Sequence, residues 1–116
     1  MNADILIVGA GPAGLCLARM LSGHGLRLGI VEQQELDAIA QPAFDGREIA
    51  MTQRTAQTMR QLGLWSRIEA FDLVALAPLK GAQVLNGPST FAMLIGHELG
   101  KMDELGWFAS NHLIRR

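Results

Sequence analysis

A single cysteine, no tyrosine and no long apolar run are what this 116-residue sequence first withholds. With Cys16 alone there is no internal disulfide and no cysteine cluster for zinc, and a reducing cytoplasm is the fitting compartment. The most apolar stretch, "ILIVGAGPAGLCLA" from Ile5 to Ala18, falls short of the roughly 18 to 20 residues that cross a bilayer. It is broken by glycines and a proline, and Arg19 follows it. The residues before it, Met1, Asn2, Ala3 and Asp4, carry no basic side chain, so a secretory signal is not expected. Nor is there an excess of one charge: 10 Lys and Arg stand against 11 Asp and Glu. Such a balance makes no field that would gather nucleic acid, and no nucleic-acid partner is expected. His24, His97 and His112 lie far apart without the spacing of metal ligands, so no metal site is expected.

What is present is the composition of an ordinary globular protein, 49% hydrophobic and 18% charged. Residues Asp4 to Val8 are apolar at every position after the aspartate, the pattern of a strand buried on both faces of a parallel sheet. From Pro12, the residues Ala13, Leu17, Met20 and Leu21 recur at helical spacing, with Gly23 or Gly25 placed to end the helix. Leu26 to Glu32 reads as a second strand, completing a β-α-β unit. Gln33 to Arg47 lacks periodicity and reads as a long irregular connection. Thr52 can cap a helix reaching about Leu62, with Ala56, Met59 and Leu62 on one face and Gly63 as terminator. Beyond it, "LKGAQVL" and "STFAMLI" read as strands around the turn "NGPS", and "GWFAS" as a third, which suggests an antiparallel region. Asn111 reads as the N-cap of a final helix that is cut short.

Chemistry enters with Gly9, Gly11 and Gly14, which form G-x-G-x-x-G between the first strand and the first helix. Three glycines alone are a weak signal; their context supplies the mechanism. The first permits a tight turn, the second lets the backbone approach a pyrophosphate, and the third allows close packing of helix on strand. The bare N–H groups and the dipole at the helix start favour phosphate. Glu32, eighteen positions past Gly14, is placed to accept a hydrogen bond from an adenosine ribose. A carboxylate there repels a ribose phosphate, which favours FAD or NAD over NADP at this site. The competing account is a buried strand and helix whose glycines only pack.

Four segments together carry a resemblance to a known family: "DILIVGAGPAGLCLARML", the "VEQ" closing the second strand, "DGREIAMTQRTAQTMRQLGLW", and "GWFASNHLIRR". The chain resembles the N-terminal part of the aromatic-hydroxylating flavoprotein monooxygenases, and the ubiquinone-biosynthesis hydroxylases among them most of all. The resemblance implies an α/β fold: the β-α-β portion of a Rossmann-like FAD-binding domain, followed by the beginning of an antiparallel substrate-domain sheet. Residues 1–70 would hold the cofactor unit and its following helix, and 71–116 the start of the substrate strands. It further implies FAD as cofactor, NAD(P)H as transient reductant, dioxygen, and an aromatic or prenylated quinol-type substrate. Gly9, Gly11, Pro12, Ala13 and Gly14 would line the FAD pyrophosphate and Glu32 would hold its ribose. Arg47 matches the arginine of the family's "DGR" loop near the cofactor, and a guanidinium fork suits a phosphate. Its plain alternative is an exposed loop arginine beside Asp45. Two further family positions fall on Asn111, where relatives commonly carry arginine, and on Arg115, a candidate cofactor contact. No catalytic residue is assigned.

Other features read more plainly. Cys16 reads as helix packing, and Trp65, Trp107, Phe71, Phe91 and Phe108 as core or interface packing rather than a substrate cage. Since the family's enzymes are several times longer, the sequence is expected to be a fragment that alone neither hydroxylates a ring nor holds FAD tightly. A prenylated substrate would bring the parent enzyme to the inner face of the membrane, and the resemblance implies other ubiquinone-biosynthesis proteins as partners. The alternatives are another FAD oxidoreductase of the same fold, such as a prenyl reductase or a catabolic phenol hydroxylase, or a non-catalytic nucleotide-binding fragment.

Overall fold

The computed structural model describes residues 2–71 and 75–116. The segment just past the expected division at residue 70, positions 72–74, lies outside the described residues.

The first unit is β-α-β. Strands β1 (Ile5–Val8) and β2 (Leu28–Val31) pair in parallel, Ile5 opposite Leu28 and Val8 opposite Val31. Helix α1 (Pro12–Leu21) crosses between them, with proline in its first turn and Gly23 at φ +86° just past its end. A parallel pair needs such a crossover, and the short run between Val8 and Leu28 leaves room for one helix only. The sequence predicts β1 to be buried on both faces, but α1 covers only one. Ile7 is buried, while Val8 is 83% exposed.

Residues Gln33 to Arg47, expected to be irregular throughout, hold one short helix, α2 (Leu36–Ala40). Strand β3 (Glu48–Thr52) follows and hands directly to α3 (Gln53–Gln61). Thr52 caps α3 as expected, its Oγ1 accepting from the Thr55 N–H at 3.2 Å. Gly63, at φ +71°, ends the turn, and a second helix, α4 (Trp65–Phe71), begins at once.

Strand β4 (Leu76–Leu79) and strand β7 (Gly106–Ser110) complete an antiparallel sheet with β7 in the middle, between β3 and β4. Met51 faces Trp107, and Ala77 and Ala50 flank Phe108. The core sits where α3 and α4 cover this sheet: Met51, Ala56, Met59, Trp65, Ile68 and Ala109 are all buried. Trp65 meets Trp107 edge to face at 5.1 Å, and the Arg60 guanidinium lies over both rings.

The "LKGAQVL" segment is not one strand. It breaks at Lys80, leaving Leu79 in β4 and placing Gly81–Leu85 in β5, which forms a separate hairpin with β6 (Ala92–Gly96). Gly87 supplies φ +54° in the connecting turn. After a single 3-10 turn (His97–Gly100) and β7, the described chain finishes in helix α5 (Asn111–Arg115). The molecule is elongated, with a radius of gyration of 17.3 Å against about 13 Å for a compact domain of this length.

Candidate functional site

At the carboxyl end of β1 the chain turns through the glycine loop into α1. The Gly9 N–H donates to the Val31 carbonyl at 2.8 Å, extending the parallel ladder by one bond. Gly9 itself sits at φ +102°, a conformation that L side chains avoid. Gly14, one turn into α1, faces back onto Gly9. A Cβ there would collide with the Gly9 carbonyl oxygen and crowd the Ile7 side chain. The helix can therefore lie against the strand only because position 14 has no side chain.

Gly11 is the N-cap of α1, and no side chain caps the helix. A Cβ at Gly11 would meet nothing within 4 Å. Its space is open toward the helix start, where first-turn N–H groups have no intrahelical acceptor. An open position and bare donors at the positive end of a ten-residue helix fit a pyrophosphate.

Glu32, just after β2, closes the other side. Its Oε2 accepts from the Ala10 N–H at 2.7 Å, and its Oε1 accepts from the N–H groups of Gln33 at 2.7 Å and Gln34 at 3.1 Å. These three backbone donors hold its carboxyl below the usual carboxylate range, Ala10 most strongly. Glu32 is thus ionised and fixed, and it ties the glycine loop to the end of the second strand. A carboxylate has about four acceptor positions, so one remains for a ligand hydroxyl.

Arg115, at the end of α5, donates from Nη2 to the Gln34 Oε1 at 2.9 Å, and its charge favours the Glu32 carboxylate. The last helix therefore reaches the same strand end as the glycine loop. Arg47 stands elsewhere. It is exposed beside Asp45, as its plain reading has it, and pairs with that residue, Nε donating at 2.8 Å and Nη2 at 2.6 Å to the same Oδ2. Among the described residues no hydrogen bond joins Arg47 to the glycine loop. What links them is α5, because Asn111 donates its side-chain amide to Asp45 at 2.7 Å one turn before Arg115.

Asn111 is not the N-cap. Ser110 occupies that place, without capping through its side chain. Asp45, Gln34 and this use of Asn111 were not recoverable as site residues from the sequence. The one available signal was Asp45 two positions before Arg47. The histidines bond locally, His24 to the Leu21 carbonyl, His97 to that of Met102, and His112 to the Ser110 hydroxyl. Cys16 is half-buried beside Arg19 in a cleft of about 490 Å³ between α1, α4 and α5, and burial pushes its thiol pKa up. That is the environment of a packing residue rather than a nucleophile.

Comparison with known proteins agrees with this geometry. Residues 2–80 match the family described as FAD binding domain. The chain is 40% identical over 120 residues to ubiquinone hydroxylase UbiM of Neisseria meningitidis, covering all of this chain and 25% of that protein. It is 25% identical to ubiquinone hydroxylase UbiL of Rhodospirillum rubrum, over 98% of this chain and 25% of the relative. Against 2,4-dichlorophenol 6-monooxygenase of Delftia acidovorans it is 31% identical, over 88% of this chain and 15% of the relative. Among solved structures, a flavoprotein/dehydrogenase from Cytophaga hutchinsonii shares the fold with a TM-score of 0.63 at 20% identity, covering 99% of this chain and 26% of that one. The chain thus spans about a quarter of the length of the ubiquinone hydroxylases it matches. With the matched segment running through the glycine loop, Glu32 and the "DGR" loop, the chain belongs to the FAD-binding-domain family.

Proposed function

We propose that this chain is the FAD-binding part of a monooxygenase that uses NAD(P)H and dioxygen to hydroxylate the aromatic ring of a ubiquinone precursor. The observation that carries the cofactor half is the loop itself: open space at Gly11, uncapped helix N–H groups and the fixed Glu32 carboxylate meet at one strand end. FAD, when bound, supplies the redox and oxygen chemistry, and the protein supplies position and electrostatics. In this reading Gly9, Gly11, Pro12, Ala13 and Gly14 line the pyrophosphate, Glu32 accepts from the adenosine ribose, and Arg47 and Arg115 bring positive charge to the cofactor. Residues 1–70 form the cofactor unit and 71–116 begin the substrate domain.

The substrate half rests on the 40% identity to a ubiquinone hydroxylase along the whole chain. A prenylated substrate dissolves in the membrane, so the enzyme works at the membrane surface, beside other proteins of ubiquinone biosynthesis. No helix among the described residues is long and apolar enough to cross a membrane. A second reading, a catabolic phenol hydroxylase, draws on the similarity to the chlorophenol monooxygenase. The test is substrate-stimulated NAD(P)H oxidation by the full-length enzyme. A prenylated phenol or quinol precursor should accelerate it and yield a hydroxylated ring. Stimulation by simple phenols alone would favour the second reading, and no stimulation by any aromatic compound would defeat both.

A further inference from the structure

Asn111 has a place that neither helix capping nor packing explains. It is a buried polar residue, 6% exposed, at the first position of α5. Its side chain reaches across to the "DGR" loop, where Nδ2 donates to Asp45 Oδ2 at 2.7 Å. The assignment of that amide follows from chemistry, since a carboxylate offers only acceptors and the NH₂ must face it. Its own backbone N–H donates to the Arg47 carbonyl at 2.8 Å. One residue thus grips the loop on both sides of Gly46, which stands at φ +69°.

The consequence falls on Arg47. Asp45 Oδ2 takes Arg47 Nε, Arg47 Nη2 and Asn111 Nδ2 together, while Oδ1 takes the Arg47 backbone N–H at 3.1 Å. Arg47 has no other side-chain partner among the described residues, and it is mostly exposed. An exposed ion pair alone is a weak tether. The third bond, from a buried amide on another element, fixes the carboxylate and so fixes the guanidinium that turns about it.

We propose that Asn111 is a positioning residue for FAD: it clamps Asp45, and Asp45 presents Arg47 to the cofactor. This rests on the proposed reading in which the chain holds FAD and Arg47 brings its charge to that cofactor. Ordering a free arginine during binding costs affinity that a held arginine does not lose.

The test uses the full-length enzyme, stripped of flavin and titrated with FAD while flavin fluorescence is followed. Asn111→Leu should weaken FAD binding by about tenfold, and Asn111→Gln, which keeps a donor amide, should recover part of the loss. Arg47→Ala should weaken binding to a similar degree. Because both act through one contact, the double variant should bind no worse than Arg47→Ala within about twofold. If the leucine variant does not fold, Asn111→Ala is read the same way. A variant at Asn111 that binds FAD as well as the wild type, or losses that multiply in the double variant, would overturn the proposal while leaving the FAD reading intact. A wild-type enzyme that takes up no FAD would overturn that reading itself, and the proposal with it.

Discussion

An alanine at position 14 and an alanine at position 11 add the same methyl group to the same loop, with opposite expected effects. At Gly14 the methyl meets the Gly9 carbonyl oxygen, so helix and strand must part. Overpacking of that kind costs about 1–3 kcal/mol, and chemical denaturation of Gly14→Ala should show it as a lower midpoint. At Gly11 the methyl meets no protein atom. Gly11→Ala should therefore unfold close to wild type yet lose FAD affinity, because the space it fills is the cofactor's. Asp45 is the other residue with a measurable signature. Its hydrogen bonds from Asn111 and Arg47 lower its pKa from 3.8 to about 2. A group depressed on folding stabilises the fold fully above its unfolded pKa and loses that contribution as the pH falls through its folded value. The stability difference between wild type and Asp45→Asn should thus be greatest above about pH 4, shrink as the pH falls below it, and disappear only as the pH passes below about 2, in denaturation curves taken across that window. Arg47 beside Asp45 was legible as a neighbour two positions apart. Asn111, sixty-six positions away, was not, because a contact at that separation exists only once β7 has paired with β3.

At the scale of elements, the legible parts were those with a local cause. The strand, glycine turn and helix from Ile5 to Leu21 declare themselves through an apolar run, a proline and spaced glycines. Helix α3 does so through Thr52, Gly63 and the face of Ala56 and Met59. Strand β3 gave no such signal. Its sequence "EIAMT" has one buried residue, Met51, and its strand character comes from pairing with β7 rather than from alternation. Helix α4 is seven residues long, too short for a period to show, and is held by burying Trp65 and Ile68 against α3. The break at Lys80 was hidden for a similar reason, since both halves of "LKGAQVL" are strand and only their partners differ. The α3 face can be tested directly. Met59→Ala removes most of a buried side chain from the core cluster and should cost about 2–5 kcal/mol. Thr52→Ala removes only the cap and should cost about 1 kcal/mol. Thermal or urea denaturation that ranks the two in the opposite order would place the core elsewhere.

Across the whole molecule, apolar surface is abundant and unevenly covered. Leu6, Val8 and Val31 lie more than half exposed on the parallel pair, and Leu85, Phe91 and Leu94 likewise on the hairpin. Both sheets offer unpaired edges, which favours association through them. The 116-residue chain by itself should bind a dye such as ANS and sediment as concentration-dependent oligomers, whereas the full-length enzyme should do neither to the same extent. The same uncovered faces bear on the cofactor. The loop, Glu32 and α5 supply one side of a site, so the 116-residue chain alone should hold FAD weakly and hydroxylate nothing. Whether this side is built for FAD can be measured directly. The measurement is the flavin content of the purified full-length enzyme, released and identified by absorbance and mass, beside that of its Gly11→Ala variant. Stoichiometric FAD is expected in the wild type and a marked loss in the variant at unchanged thermal stability. A wild-type enzyme that carries no flavin, or a variant that retains it fully, would show that this side is not built for FAD.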